Sequence, residues 1–157
     1  MYRGSAFLPD KSVRVFDCVI KDIADQPLAF WEIDAHCYTP DNIRSILDFK
    51  EKIKRNREFS KSTDTLITKI MLGVFGNVPA FDTNFKKGFG VSTFEFQPLQ
   101  EIAEFYKKNS NIIDEHQNRR ALDFNTGLPT GYLYTRAKVI DMIFFQEGEN
   151  RRIQSEL

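Results

Sequence analysis

Apolar residues recur along this chain at intervals of three and four, the period of helices that bury one face. Over residues 12–24, Val15, Phe16, Val19, Ile20 and Ile23 form such a stripe, although the β-branched content also suits a strand. Gln26-Pro27 interrupts it, and LAFWEIDAHCY supplies a second short helix ending near Tyr38. The third helix has the sharpest boundaries: Thr39 is a cap, Pro40 suits the first helical position, and Asp41 favours the positive helix end. Ile43, Ile46, Leu47, Phe49 and Ile53 line one face as far as Arg55. A fourth helix runs from Thr63 to Phe75, with Leu66, Ile67, Ile70, Met71, Val74 and Phe75 on one side, and Gly76-Asn77 is a left-handed stop.

Asp82 can cap a short helix, TNFKK, that ends at Gly88. VSTFEF alternates weakly and predicts a brief extended segment. Gln97-Pro98 opens another helix carrying Leu99, Ile102, Ala103, Phe105 and Tyr106, and a turn near Asn109-Ser110-Asn111 separates it from IIDEHQNRRAL. DFNTGLPTGY is dense in turn residues and predicts a surface loop. Residues 135–146 form the last helix, with Val139, Ile140, Ile143 and Phe144 as its buried stripe, and the polar residues 149–157 predict a frayed tail. These elements predict an all-α fold: one compact orthogonal domain of six to eight helices spanning residues 1–157.

Composition sharpens this picture. The 157 residues suffice for a hydrophobic core without staples. Fifteen phenylalanines, which have no polar group to satisfy, predict a core rich in rings. The 22 basic and 22 acidic residues balance, which argues against a wholly basic nucleic-acid binder but leaves room for a local basic face. Cys18 and Cys37 do not make a disulfide framework. The N-terminal MYRGSAFLPDK lacks an apolar signal region, and no stretch is long enough for a membrane span, so a cytoplasmic protein with no membrane partner is expected. His36 adjoins Cys37, but no metal spacing appears, and Gly73, Gly76, Gly88 and Gly90 form no nucleotide-binding loop. No cofactor or metal is therefore expected.

Two constellations can carry chemistry. Asp82, at a helix start, accepts main-chain N–H bonds and faces the positive end of the dipole. It is either a structural cap or a rigidly held carboxylate that stabilises a cation or activates a water beside a cleft. The second is KEKIKRNREFSK, residues 50–61, where Lys50, Lys52, Lys54, Arg55, Arg57 and Lys61 outnumber Glu51 and Glu58. It is either a solvated helix end or a phosphate-contacting patch, which Lys86 and Lys87 would extend. The compensating acids are expected elsewhere, on Asp22, Asp25, Glu32 and Asp34. His116 reads as a surface residue, and Tyr132 and Tyr134 read as rings packed on the last helix or stacked on a ligand.

The segment TLITKIMLGVFGNVPAFDTNFKKG, within residues 63–90, resembles the core helices of the helix-hairpin-helix DNA glycosylases. In that family an apolar helix ends in a small aromatic-glycine stop, a proline turn follows, and an Asp-Thr pair starts the next helix. Phe75-Gly76 fall on the stop, Pro79 on the turn and Asp82-Thr83 on the pair, so the resemblance implies that Asp82 occupies the place of the catalytic aspartate. The chain departs from the family pattern before the helix, where Phe59-Ser60-Lys61-Ser62-Thr63 has no hairpin glycine. Asp64 falls near the position of the lysine in lyase-type members, with Lys61 and Lys69 out of register, and no iron–sulfur cysteine set follows.

Together these readings predict a small helical nucleic-acid-associated protein, in its sharper form a degenerate glycosylase-like domain acting on DNA through Asp82. The alternative is a non-enzymatic interaction or regulatory module of a bacterial or mobile-element system, with a protein partner or a second copy of itself. A thinner reading is a nuclease-like or toxin-like enzyme built on Asp82, Asp123 and Asp141.

Overall fold

The computed structural model describes residues 12–117, 120–123 and 125–155. The N-terminal segment, from which the absence of a leader was read, lies outside these residues. A 3-10 turn at Val13–Phe16 leads into α1, Asp17–Ala24, followed by the single-turn α2, Leu28–Trp31, and a second 3-10 turn at Ala35–Cys37. Then come α3, Pro40–Arg55, α4, Asp64–Val74, and α5, Thr83–Phe89. α6 covers Phe96–Gln117, and α7 covers Arg136–Ser155. Between the last two, strands β1, Arg120–Leu122, and β2, Pro129–Leu133, pair antiparallel as the one hairpin among the described residues. The fold is all-α apart from that hairpin.

Local signals explain the best-defined helices. Thr39 accepts from Asn42 N–H and starts α3 at Pro40, and Thr63 accepts from Leu66 N–H and starts α4. Each bond satisfies one of the orphan donors of a helix start. α4 ends where Phe75 and Gly76 both direct their N–H to the Met71 carbonyl, with Gly76 at φ 67°.

Ile43, Ile46 and Ile53 of α3, Ile67 and Met71 of α4, Leu99 and Ile102 of α6, and Ile140 of α7 build the core. The phenylalanines fill it in two groups. Phe75 is packed edge-on by Phe30 at 5.0 Å, Phe49 at 5.3 Å and Trp31 at 4.5 Å. Around α5 and α7, Phe89 meets Phe144 at 4.7 Å and Phe105 meets Phe144 at 4.8 Å. Tilted and edge-on rings add to the roughly 1.5–3 kcal/mol of hydrophobic stabilisation from each buried ring.

The structure differs from the sequence expectations at several joints. α5 continues through Gly88, which is buried, and stops at Gly90, whose φ of 90° is left-handed. The turn expected near Asn109 is a kink within α6, with Asn109 at φ −126°. The segment read as a loop after Asp123 contains β2. Residues 149–155 of the expected frayed tail are helical, with the Arg151 guanidinium donating to the Lys87 carbonyl. Among the described residues no helix is long and apolar enough to cross a membrane.

Candidate functional site

The turn between α4 and α5 is held by side chains from four other places in the chain. The Thr135 hydroxyl donates to the Gly76 carbonyl at 2.6 Å, and the buried Tyr38 hydroxyl donates to the Asn77 carbonyl. Burial first, and then the negative charge of Asp34, push the Tyr38 phenol well above its ordinary pKa, which keeps it a donor. Asp141 of α7 accepts from Ala80 N–H at 2.9 Å, and Thr68 accepts from Phe81 N–H at 2.9 Å. With main-chain groups of Gly76, Asn77, Ala80 and Phe81 bonded in this way, the turn presents Asp82 from a fixed backbone.

Asp82 is both a cap and a groove residue. One carboxylate oxygen accepts from Phe85 N–H at 3.0 Å, and the other lies 3.5 Å from the Lys69 ammonium. The side chain is 16% exposed, and that exposure opens into a groove of about 590 Å³. α4 contributes Lys69, Leu72 and Gly73 to one side of the groove. α7 contributes Lys138, Asp141, Met142 and Phe145 to the other, with Lys138 and Asp141 paired at 2.8 Å. The groove therefore sets two carboxylate–lysine pairs around apolar side chains, in the size range of small-ligand clefts. A carboxylate fixed by a helix N–H and facing a concave, partly apolar space can stabilise a developing cation or take a proton from water.

Of the three scattered acids in the sequence, Asp82 and Asp141 share this groove. Asp123 does not line it: its carboxylate closes the hairpin turn by accepting from the N–H groups of Asn125 and Thr126. Lys69, noted only as out of register with the glycosylase lysine, is the cation beside Asp82. Lys138 had no local signal beyond its spacing of three from Asp141, because its partner wall lies more than fifty residues earlier in the chain.

The basic run is divided by the fold. Lys50 is buried, donates to the Phe94 carbonyl at 2.7 Å and pairs with Asp64 at 3.2 Å. Lys54 pairs with the same carboxylate at 3.3 Å. Lys52 pairs at 3.2 Å with Asp22, one of the acids expected to lie apart from this helix. Arg55, Arg57 and Lys61 are exposed and make no ion pair among the described residues. On α5, Lys87 is exposed and Lys86 is half-buried. The cations open to a phosphate are thus Arg55, Arg57, Lys61, Lys86 and Lys87, while Lys50 is a core residue.

Asp64 anchors the divided run and carries a pH prediction. Burial alone would raise its carboxyl. The charge and hydrogen bond of Lys50, the Phe94 N–H and Lys54 together outweigh burial and hold it below its ordinary value. A carboxyl depressed in the folded state stabilises above its unfolded value, about 3.9, and that contribution is lost as pH falls through the lower folded value. Urea denaturation of the wild type and Asp64→Asn should show their largest difference near neutral pH, narrowing as pH falls below the carboxylate range. A difference that stays constant with pH would disprove this role for Asp64.

Comparison with protein-family models, with curated proteins and with solved structures finds no match for this chain.

Proposed function

We propose that the protein associates with nucleic acid and receives a single unstacked base in the groove beside Asp82. The carboxylate would there stabilise positive charge on the sugar or activate a water. The observation that carries this reading is that Asp82 caps α5 and at the same time opens into a groove of about 590 Å³. Its position after the proline turn matches the resemblance to the helix-hairpin-helix glycosylases. Arg55, Arg57, Lys61, Lys86 and Lys87 are the side chains available for phosphate, and such contacts make affinity fall steeply with salt.

Gel-shift at low ionic strength against duplex, single-stranded and abasic DNA tests the association, and failure to retain all three would end this reading. Asp82→Asn is expected to abolish base release with DNA binding intact. Gly73→Phe should block the groove: Gly73 lines it, and nothing lies within 4 Å of a Cβ at that position. Equal base release by wild type and Asp82→Asn would separate any activity from this site.

The second reading, a protein-interaction module, is favoured by the exposed apolar side chains of Leu128, Tyr132 and Leu133 on the hairpin and Met142 and Phe145 on α7. A monodisperse monomer that captures no protein from its native lysate would count against it.

A further inference from the structure

A separate groove of about 320 Å³ lies between the turn after α1, α2 and one face of α3. Asn42, Ser45, Asp48 and Lys52 succeed one another at intervals of three and four along α3 and so share its wall. Gln26 and Pro27 form part of the opposite side, and the buried Phe30 and Phe49 lie beneath.

Three neutral side chains of this groove direct a donor to the main chain. Gln26 directs its amide N–H to the Asp22 carbonyl at 2.9 Å, and Asn42 directs its own to the Cys37 carbonyl at 2.7 Å. The Ser45 hydroxyl donates to the Asp41 carbonyl at 3.0 Å. The side-chain oxygens of all three then keep their lone pairs, and Pro27 has no N–H to offer. Asp48 is exposed and forms no ion pair among the described residues. Lys52, the cation of the lining, is held by one oxygen of Asp22 at 3.2 Å, and the other oxygen of Asp22 takes the Asn56 amide at 2.8 Å. The lining thus holds one carboxylate without an ion pair, one lysine held by Asp22 from outside it, and neutral amide and hydroxyl groups over an apolar floor.

We infer that this groove binds an organic cation, an ammonium or guanidinium head on a short apolar stem. Such a head supplies several N–H donors to the free oxygens of Gln26, Asn42 and Ser45, and its bonds to the Asp48 carboxylate are charge-assisted. The stem lies along Pro27 and Ala29, in the way that lysine and arginine bury their methylenes. An anion would meet Asp48 with no free cation to offset it. The same head occurs on a free amine and on a lysine or arginine side chain of a partner, and the volume accommodates either. The site is independent of the Asp82 groove.

Amide NMR titration of the full chain with n-butylguanidinium, n-butylammonium and n-butanol tests the inference. Both cations should shift the amides of residues 26–30 and 42–52 saturably, and butanol should leave them in place. Asp48→Asn, at an exposed position, should weaken both cations by roughly tenfold, the loss of one charge-assisted contact. A blocked Gly-Arg-Gly peptide separates the sources: tighter binding than butylguanidinium assigns the head to a protein side chain, and equal or weaker binding assigns it to a free amine. Shifts that do not saturate in the millimolar range, an equal response to butanol, or an unchanged Kd for Asp48→Asn would each overturn the site.

Discussion

Gly148→Ala is expected to destabilise the protein by about 3 kcal/mol or more and to lower its Tm by roughly 6–12 °C. α5 and α7 cross with almost no space between their backbones. A Cβ at Gly148 would stand 1.8 Å from the Asn84 carbonyl oxygen, and one at Gly88 would stand 2.0 Å from the Phe144 carbonyl oxygen. Both obstacles are main chain, so no rotamer change relieves them and the helices must move apart. Separation would loosen the packing of Phe144 against Phe89, Phe105 and Phe85, with ring centroids at 4.7, 4.8 and 6.2 Å. Intrinsic helix propensity acts the other way, favouring alanine over glycine by about 1 kcal/mol, which is smaller than the clash. Gly73→Ala supplies the control. It lies in α4 with nothing within 4 Å of its Cβ, and should gain about 0.5–1 kcal/mol. Thermal and urea denaturation of Gly88→Ala, Gly148→Ala and Gly73→Ala decide the matter. Wild-type stability in Gly148→Ala would show that the crossing is looser than its geometry.

These glycines also mark where sequence reading reached its limit. A glycine after an apolar helical run signals a stop, and Gly76 behaves that way, with a left-handed φ of 67°. Gly88 and Gly148 carry the same local signal, yet they are helical because another helix needs the room. Nothing within a few residues distinguishes the two uses. The bounds of α3 and α4 were legible for the opposite reason: Thr39, Pro40 and Thr63 act within one turn of themselves.

The basic run shows the same division. Six cations over residues 50–61 read as a patch, but Asp64 and Asp22 neutralise three of them across the fold, and Lys50 reaches the Phe94 carbonyl 44 residues away. The candidate site was half legible. Asp82 and its turn are a local motif, whereas Lys138, Asp141 and Phe145 become its far wall only when α7 packs. The short hairpin escaped because its strands are mostly exposed and so lack the alternation that marks a half-buried strand.

Asp34→Ala should cost about 3–5 kcal/mol, the range for removing one partner of a buried charged network. Asp34 is 7% exposed and lies about a hundred residues from the helix it caps. Its carboxylate accepts the N–H groups of Arg136 at 2.9 Å and Ala137 at 2.8 Å, the first two of α7, as well as that of Ala35 at 2.7 Å. Thr135 takes the N–H of Lys138 at 3.2 Å, so the local and remote caps together serve the start of the helix. Alanine at 34 takes the carboxylate acceptor from all three of these donors and removes a counter-charge 3.6 Å from the Arg136 guanidinium, which keeps the Asp114 carboxylate at 2.7 Å. Asp34→Asn retains one acceptor oxygen and should fall between Asp34→Ala and the wild type. Thr135→Ala should cost about 1 kcal/mol for its cap, and more for its bond to Gly76. Urea denaturation gives the magnitudes, and hydrogen exchange should localise the loss to the first turn of α7. That turn carries Lys138 into the groove, so Asp34→Ala should also weaken whatever the groove binds. Asp82→Asn, on the facing wall, should change the groove's chemistry with this helix start intact. A loss under about 1 kcal/mol in Asp34→Ala would mean that water serves these three N–H groups as well as the carboxylate does.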